Sequence, residues 1–302
     1  MQNYNSHGKL LLTAEYVVLD GAKALAIPTT FGQSLKVEKT ERNSIIWESF
    51  DHDNKSWFNA TFFVDNESFL VEKTSNPEVS DRLLQIFEAV KQLNPSFLKT
   101  TGYTISTRLE FPKNWGLGTS STLINNIANW VKVDAYKLLE LTFGGSGYDI
   151  ACAQYDNPLT YQIIDKQRLI ETINFNPSFT DNLYFVYLNK KQNSRDGIAH
   201  YKANRTNLDE TIIGINHITN QIINCETLDN FESLLTAHEQ LIAKVTNQTP
   251  IKDQFFKDFK GSIKSLGAWG GDFILVASKS NPTDYFNSKG LSTIIAYKDM
   301  IL

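Results

Sequence analysis

The sequence predicts a mixed fold of α-helices and β-strands. Apolar and polar residues alternate in residues 103–109, which is typical of a half-buried strand. In residues 83–93 and 208–223, apolar residues recur three and four positions apart, which is typical of one face of a helix. The chain has 302 residues, enough for two domains or one large one. Pro177 and the pair Asp181-Asn182 mark the predicted boundary between two parts.

The composition is that of a globular protein in a reducing compartment. Hydrophobic residues make up 41% of the chain and charged residues 21%, and the net charge is −4. Nucleic-acid binding would require a basic surplus or patch, and no apolar run approaches the ~18 residues of a membrane span. Cys152 and Cys225 are expected to be free thiols. We therefore expect a cytoplasmic protein, monomer or homodimer, that binds neither nucleic acid nor membrane.

The N-terminal part is predicted to be rich in strands. Residues 8–12 form a buried strand, and the apolar run 17–19 ends in Asp20-Gly21, a typical hairpin turn. A further strand begins at Ala24, and residues 33–65 resemble a β-meander of three strands.

The remaining elements follow from the same periodicities. Residues 189–195 are polar and are interpreted as a solvated charge run. Helices are predicted at 80–93, 123–131, 135–141 (capped by Asp134), 208–223 and 228–245, and weakly at 255–263. Strands are predicted at 103–109, in two halves of 159–173, and at 183–188, 273–276 and 293–297.

A Gly-rich loop, Pro112-Lys113-Asn114-Trp115-Gly116-Leu117-Gly118-Thr119-Ser120-Ser121-Thr122, lies between a predicted strand and a predicted helix. Glycines allow the backbone to approach a ligand closely, and the first free N–H groups of a helix favour negative charge. The pattern therefore predicts an anion site, such as one for phosphate. An ordinary glycine loop with Ser/Thr capping is the alternative.

Three further segments are candidates for chemistry. Residues 8–21 contain Lys9 and Glu15, which in a simple hairpin would be solvated charges. Residues 144–151, Gly-Gly-Ser-Gly-Tyr-Asp-Ile-Ala, combine a Gly-rich turn with a carboxylate, although a helix stop followed by an acidic first turn gives the same pattern. Residues 265–272 form another Gly-rich loop before a strand.

Together these segments resemble the GHMP kinases, the superfamily of galactokinase, homoserine kinase, mevalonate kinase and phosphomevalonate kinase. Residues 112–122 are similar to its second motif, Pro-x-x-x-Gly-Leu-Gly-Ser-Ser-Ala-Ala. Residues 8–21 are similar to the first motif and residues 265–272 to the third, a Gly-Ala-Gly-Gly-Gly loop. The string Gly-Tyr-Asp-Ile-Ala within residues 144–151 resembles a bacterial subgroup named for those five residues.

The resemblance implies a fold and a reaction. The fold would be a two-domain α+β fold, with a ribosomal-protein-S5-like, ATP-binding domain at 1–178 and a ferredoxin-like domain at 179–302. The reaction would be transfer of the ATP γ-phosphoryl group, with Mg²⁺, to a small-molecule acceptor.

The resemblance also implies roles for single residues. Asp149 would orient or deprotonate the acceptor hydroxyl, Lys9 would stabilise the transferred group, and Ser120 and Glu140 would bind Mg²⁺. The backbone expected to hold the phosphates comprises Gly116, Leu117, Gly118, Thr119, Ser120 and Ser121. The residues expected at the acceptor are Glu15, Tyr16, Ser146, Gly147, Tyr148, Gly267, Gly270, Gly271 and Asp272.

The motif variants favour phosphomevalonate as the acceptor, with mevalonate as the alternative. Four departures leave a non-catalytic, GHMP-like nucleotide-binding protein open as a second class of function. His7 replaces a proline, Ala14 and Trp269 each replace a glycine, and residues 119–122 differ from the second motif. Retention of Lys9, Ser120 and Asp149 favours the enzyme.

Overall fold

The computed structural model of the protein describes residues 1–65, 68–97 and 102–302. It divides into two compact units, each made of several chain segments. The first unit comprises Met1–Gly8, Phe31–Lys113 and Gly118–Gln154, and the second comprises Lys9–Thr30, Asn114–Leu117 and Tyr155–Leu302. Compact units defined by contacts need not coincide with domains defined by family motifs, so the division at residue 178 stays a prediction.

The strands of the described chain follow the alternation and apolar runs of the sequence in most places. They are β1 (Gln2–Leu11), β2 (Ala24–Thr40), β3 (Ser44–Phe50), β4 (Ser56–Asp65), β5 (Ser68–Thr74), β6 (Gly102–Leu109), β7 (Leu159–Ile164), β8 (Gln167–Thr172), β9 (Leu183–Tyr187), β10 (Ser262–Ser265), β11 (Phe273–Ala277) and β12 (Ile294–Ala296).

The helices begin at polar capping residues in several cases, such as Asn76 before α1 and Asp134 before α3. They are α1 (Pro77–Leu93), α2 (Thr119–Val131), α3 (Ala135–Thr142), α4 (Tyr148–Gln154), α5 (Ser194–Asn204), α6 (Leu208–Ile223), α7 (Leu228–Thr246), α8 (Ile251–Phe255), α9 (Thr283–Ser288) and α10 (Tyr297–Met300). No helix of the described residues is both long enough and apolar enough to cross a membrane.

The first unit is a sheet covered by helices. Its strands have the order β5-β4-β3-β6-β2, and β3 pairs with β6 in parallel while the other neighbours are antiparallel. Inward-facing residues such as Trp47, Phe62 and Ile105 pack with Phe87 of α1 and Ile127 of α2 in one core. The predicted meander of residues 33–65 is therefore wrong in one respect, since β6 lies between β2 and β3.

The second unit contains an antiparallel sheet of order β10-β11-β9-β12. Every residue of β11 is buried, as expected for a central strand with an uninterrupted apolar sequence. Helix α7 packs on β10 and on α6. The first residues of β2 pair with β7, which forms a hairpin with β8.

Three segments of the second unit differ from the prediction. The apolar run after Tyr16 is a 3-10 turn, Val17–Asp20, and not a strand of a hairpin. Ala14 and Tyr16 have positive φ angles of 68° and 64°, which breaks the extended chain before the run begins. A short buried apolar run has no periodicity that distinguishes a strand from a turn.

The predicted helix at 255–263 is wrong, and helix α5 was not predicted. The spacing that resembles a helix belongs to Phe256, Phe259 and Ile263, which pack in one apolar cluster. However, α8 ends at Phe255, and Gly261 has a φ of 136°, which a helix excludes. Helix α5 replaces part of the predicted charge run. It buries only Gly197 and Tyr201, so its apolar periodicity is too weak to detect.

Candidate functional site

The Gly-rich loop lies between β6 and α2, as the sequence predicts. Gly118 is the N-cap residue of α2 with a φ of 97°, and as a glycine it provides no side-chain cap for the helix. The Ser121 hydroxyl turns back and donates to the Gly118 carbonyl at 2.9 Å. An uncapped first turn leaves backbone N–H groups at the positive end of the helix dipole, which suits an anion.

Gly116 lies next to two charged residues, and we call this group the Lys9–Gly116–Asp272 cluster. The Lys9 ammonium donates to the Gly116 carbonyl at 2.9 Å, and the Lys9 amide donates to the Leu117 carbonyl at 2.9 Å. Gly116 has a φ of 69°, and a Cβ there would lie 2.5 Å from the carboxyl carbon of Asp272. Position 116 therefore requires glycine for its conformation and for its space.

Asp272 connects this cluster to the loop that follows β9. Its carboxylate accepts a hydrogen bond from the Gln192 amide at 3.2 Å, and its own amide donates to the Lys190 carbonyl at 2.7 Å. Burial raises the pKa of Asp272, while the Gln192 amide and the positive charges of Lys9 and Lys191 act in the opposite direction. The Lys9 charge therefore acts on both Gly116 and Asp272.

Aromatic residues fix the same loop from β9 and β11. The Trp115 ring lies edge-on to Phe273 with a centroid distance of 5.3 Å, and the Tyr187 hydroxyl donates to the Asn114 carbonyl at 3.0 Å. The segment Asn114–Leu117 is thus anchored along its length within the second unit.

Glu15 lies in a fully buried ion pair with Lys264, which also donates to the Ser265 carbonyl at 2.9 Å. Burial raises the pKa of Glu15, and the Lys264 charge counteracts this. Because Lys264 precedes the Gly-rich loop 265–272, the pair fixes the start of that loop.

Two more buried titratable residues adjoin this pair. Glu239 accepts hydrogen bonds from the Ser265 amide at 3.0 Å and the Ser265 hydroxyl at 3.3 Å, and burial raises its pKa to about 8. His238 Nε2 accepts the Ala14 amide proton at 2.9 Å, and burial holds the pKa of His238 well below its usual range. The imidazole is therefore neutral with its proton on Nδ1, so its 3.5 Å approach to Glu15 is not an ion pair.

Tyr16 packs between the Val17–Asp20 turn and α5. Its ring stacks on Tyr201 with a centroid distance of 5.5 Å, and a Cβ at Gly197 would lie 2.5 Å from its hydroxyl oxygen. Burial, and then the charges of Glu15 and Asp272, raise the pKa of Tyr16. Tyr201 in turn donates to Asp20 at 2.6 Å, and Arg205 contacts both oxygens of that carboxylate. These contacts join α5 to the turn.

The remaining predicted residues of the first unit lie around α3 and α4. Ser146 and Gly147 are buried in the turn before α4, and Tyr148 and Asp149 are half-buried in its first turn. The Asp149 carboxylate accepts from the Ile150 amide at 3.2 Å. Glu140 is exposed on α3.

In the loop 265–272, Gly267 and Gly270 have positive φ angles of 63° and 90°. Trp269, which stands where the resemblance expects glycine, is only 4% exposed, and its indole N–H has no hydrogen-bond partner among the described residues. A Cβ at Gly271 would lie 2.7 Å from the Lys190 carbonyl oxygen, so glycine at this position permits close contact with the loop after β9.

The structure thus brings together Lys9, Gly116 and Asp272 in the second unit, and places Ser120 and Asp149 in the first. The proposed pairing of Lys9 with Asp149 stays a prediction. Sequence reasoning missed Lys264, Glu239 and His238. No local pattern in the sequence marks Lys264, because its strand Ser262–Ser265 is mostly polar in composition although every residue of it is buried. Lysine is almost never fully buried unless it is paired, and its partner Glu15 lies 249 positions away.

No protein-family model and no curated protein matches this sequence. Solved structures do. Mevalonate kinase of Methanococcus jannaschii is 18% identical with a TM-score of 0.68, covering 97% of this chain and 96% of that one. Phosphomevalonate kinase of Streptococcus pneumoniae, in complex with phosphomevalonate and AMPPNP, is 14% identical with a TM-score of 0.68, covering 96% and 95%. Galactokinase of Lactococcus lactis, complexed with galactose, is 15% identical with a TM-score of 0.68, covering 95% and 88%. The chain therefore has the α+β fold of the GHMP kinases, as the motifs predicted.

Proposed function

We propose that this protein is an ATP-dependent GHMP-type kinase that transfers the γ-phosphoryl group of ATP to the hydroxyl of a small molecule. The observation that carries the proposal is the N-terminus of α2, which has glycine as its N-cap and directly follows the Gly116–Gly118 turn. The Lys9 charge lies at that turn, bonded to the Gly116 carbonyl. A glycine turn that leads into a helix N-terminus, and a cation bonded to that turn, are features that suit a polyphosphate.

Phosphoryl transfer depends on positioning and on neutralising charge more than on covalent chemistry. In this proposal the backbone of residues 116–121 holds the phosphates, and Lys9 stabilises the charge that develops on the transferred group. Asp149 accepts the proton of the acceptor hydroxyl. Asp149 lies in the first turn of α4.

Magnesium fits the residues that are present. Mg²⁺ prefers hard oxygen ligands and takes only one or two from the protein, and the Ser120 hydroxyl and the Glu140 carboxylate are of that type. We propose these two residues as the ones that would hold it. When bound, the ion would neutralise phosphate charge.

For the acceptor we propose phosphomevalonate. The support is the motif variants Glu15-Tyr16, Ser146-Gly147-Tyr148-Asp149 and Gly271-Asp272. Because Glu15 is buried and paired, it would act at the acceptor by fixing the position of Tyr16. Mevalonate is the second candidate, supported by the similarity to a mevalonate kinase over nearly the full length of both chains.

The test is a coupled assay of ADP release with Mg·ATP and phosphomevalonate, mevalonate, homoserine or galactose. We expect the highest kcat/KM with phosphomevalonate. ADP release with mevalonate and with no other compound would identify mevalonate, and not phosphomevalonate, as the acceptor. Nucleotide binding without ADP release for any acceptor would favour the non-catalytic alternative. Ser120→Ala should weaken Mg²⁺-dependent nucleotide binding, while Ser233→Ala on the exposed side of α7 serves as the matched control.

A further inference from the structure

A chain of hydrogen-bonded polar side chains runs through the interior of the first unit. Its members share almost complete burial, each being less than 5% exposed, and they are Ser6, Gln33, Thr122, Asn125 and Asn126. We call this set the polar chain. Thr122, Asn125 and Asn126 lie on the buried side of α2, and Ser6 and Gln33 belong to β1 and β2.

One end of the polar chain lies at the Gly-rich loop. The Thr122 hydroxyl donates to the Gln33 side-chain oxygen at 2.6 Å and lies 3.1 Å from the carbonyl oxygens of Gly118 and Thr119. Thr122 therefore connects β2 to the first turn of α2, which is part of the proposed phosphate site.

The middle of the chain passes through β1 and β2. The Asn126 amide donates to the Gln33 carbonyl at 2.8 Å, and Ser6 donates to the Asn126 side-chain oxygen at 2.8 Å. Asn125 then donates to the Ser6 hydroxyl at 2.9 Å. Each link joins two different elements, so the chain fixes α2 against both strands.

The other end lies on α4, the helix that begins beside Asp149. The Asn125 amide donates to the Ala153 carbonyl at 3.2 Å, and the Gln154 side chain donates to the Asn125 oxygen at 3.0 Å. Both contacts lie at the last turn of α4, whose first turn carries Asp149.

Stability alone does not explain these residues. Thr and Asn are poor helix formers, and each buried hydrogen bond contributes only a modest net free energy, whereas apolar side chains at these positions would need no partner. A fully satisfied buried network does, however, select one arrangement of the elements that it joins.

We propose that Thr122 is a positioning residue of the phosphate site, and that the polar chain holds the loop at Gly118 and the Asp149 helix in one register. The inference rests on the proposed function, because it concerns the same site. Thr122 touches neither nucleotide nor acceptor in this proposal and acts through the backbone of Gly118 and Thr119.

The test compares Thr122→Val with Thr107→Val. Both substitutions remove one buried hydroxyl of the first unit and keep the side-chain shape. Thr107 donates to Ser49 at 2.9 Å and has no hydrogen-bond link to the polar chain among the contacts of the described residues. We expect similar losses of thermal stability. Only Thr122→Val should raise the dissociation constant of Mg·ATP, by roughly five- to twentyfold, because small displacements of binding groups are costly. Thr122→Ser, which restores the hydroxyl, should restore most of the affinity.

Equal Mg·ATP affinity in Thr122→Val and Thr107→Val would overturn the inference, as would failure of Thr122→Ser to recover affinity. If Thr122→Val does not fold, Ser6→Ala removes the central link with a smaller change. Ser6→Ala should lower kcat in the coupled assay of ADP release. An unchanged kcat would contradict the positioning role of the polar chain. Failure of the proposed function is distinguishable, since the unsubstituted protein would then either bind no Mg·ATP or bind it without releasing ADP with any acceptor.

Discussion

The carboxyl group of Asp272 occupies the space that a side chain at position 116 would need. Gly116 and Asp272 belong to the Gly-rich loop 112–122 and to the loop 265–272, and they are 156 positions apart. Lys9 donates to the Gly116 carbonyl, and its charge acts on Asp272. The hydrogen bond to the Gly116 carbonyl fixes the Lys9 ammonium, and its charge opposes the effect of burial on the pKa of Asp272. The Gly-rich loop therefore has the Lys9 ammonium at a fixed position beside it.

Gly116→Ala should therefore disrupt nucleotide binding. The new Cβ would meet Asp272, and alanine at a φ of 69° adds about 1–2 kcal/mol of backbone strain. We expect the Mg·ATP dissociation constant to rise by more than about tenfold, as for a misplaced binding group, measured by titration of a fluorescent ATP analogue. Gly290→Ala is the matched control, because Gly290 has a φ of 78° but open space around its Cβ position. Equal affinity in the two variants would mean that the Asp272 contact has no role.

Glu239 should make the protein less stable as pH rises. Its pKa is about 8 in the folded protein against 4.5 for the ordinary group. Between those values the unfolded chain has lost a proton that the folded protein keeps, so the free energy of unfolding falls, by up to about 1.4 kcal/mol per pH unit. Glu239→Gln resembles the protonated side chain and should flatten this slope. Chemical denaturation at pH 5 and pH 8 measures it.

Glu232→Gln on the same helix provides the control for that measurement. Glu232 is half-buried, whereas Glu239 is only 3% exposed. Burial and then Asp229 also raise the pKa of Glu232, but solvent screens the effect. Its substitution should leave the slope close to that of the original protein. A slope that Glu239→Gln does not change would show that Glu239 is ionised at neutral pH.

Lys264→Met should be strongly destabilising. It leaves the Glu15 carboxylate buried without its partner, which typically costs about 3–5 kcal/mol. The loss should be smaller at pH 5 than at pH 8, because burial raises the pKa of Glu15 and an unpaired Glu15 takes up a proton. The double variant Glu15→Gln/Lys264→Met should recover part of the stability. Additive losses in a double-mutant cycle would contradict the pairing.

The sequence predicted the local elements of the site better than its contacts. The strand, glycine turn and helix around Gly118 follow from composition and periodicity. By contrast, the Lys264–Glu15 pair joins positions 249 apart, and no local pattern specifies which buried charge meets which. The Val17–Asp20 turn was missed for a related reason, since the positive φ angles of Ala14 and Tyr16 are imposed by tertiary packing on residues that do not favour them. Helix α5 was missed because its contacts are made by Tyr201 and a glycine, and not by an apolar stripe.

Asp149 and Lys9 are predicted to act on one transferred group. Asp149→Asn keeps the shape and removes the charge, so turnover should fall by about 10²–10⁴-fold, as for a general base. Lys9→Met should lower it by about 10²–10³-fold, as for a charge-stabilising group, and should also loosen the Gly116 carbonyl that it bonds. Residues that act as a unit show losses that do not multiply. We therefore expect the turnover of the double variant to fall by less than the product of the two single losses. The measurement is steady-state kinetics on all four proteins, with the acceptor that the coupled assay identifies. Near-normal turnover of Asp149→Asn, with nucleotide binding intact, would remove Asp149 from catalysis. Strictly multiplicative losses would mean that the two residues act on separate steps.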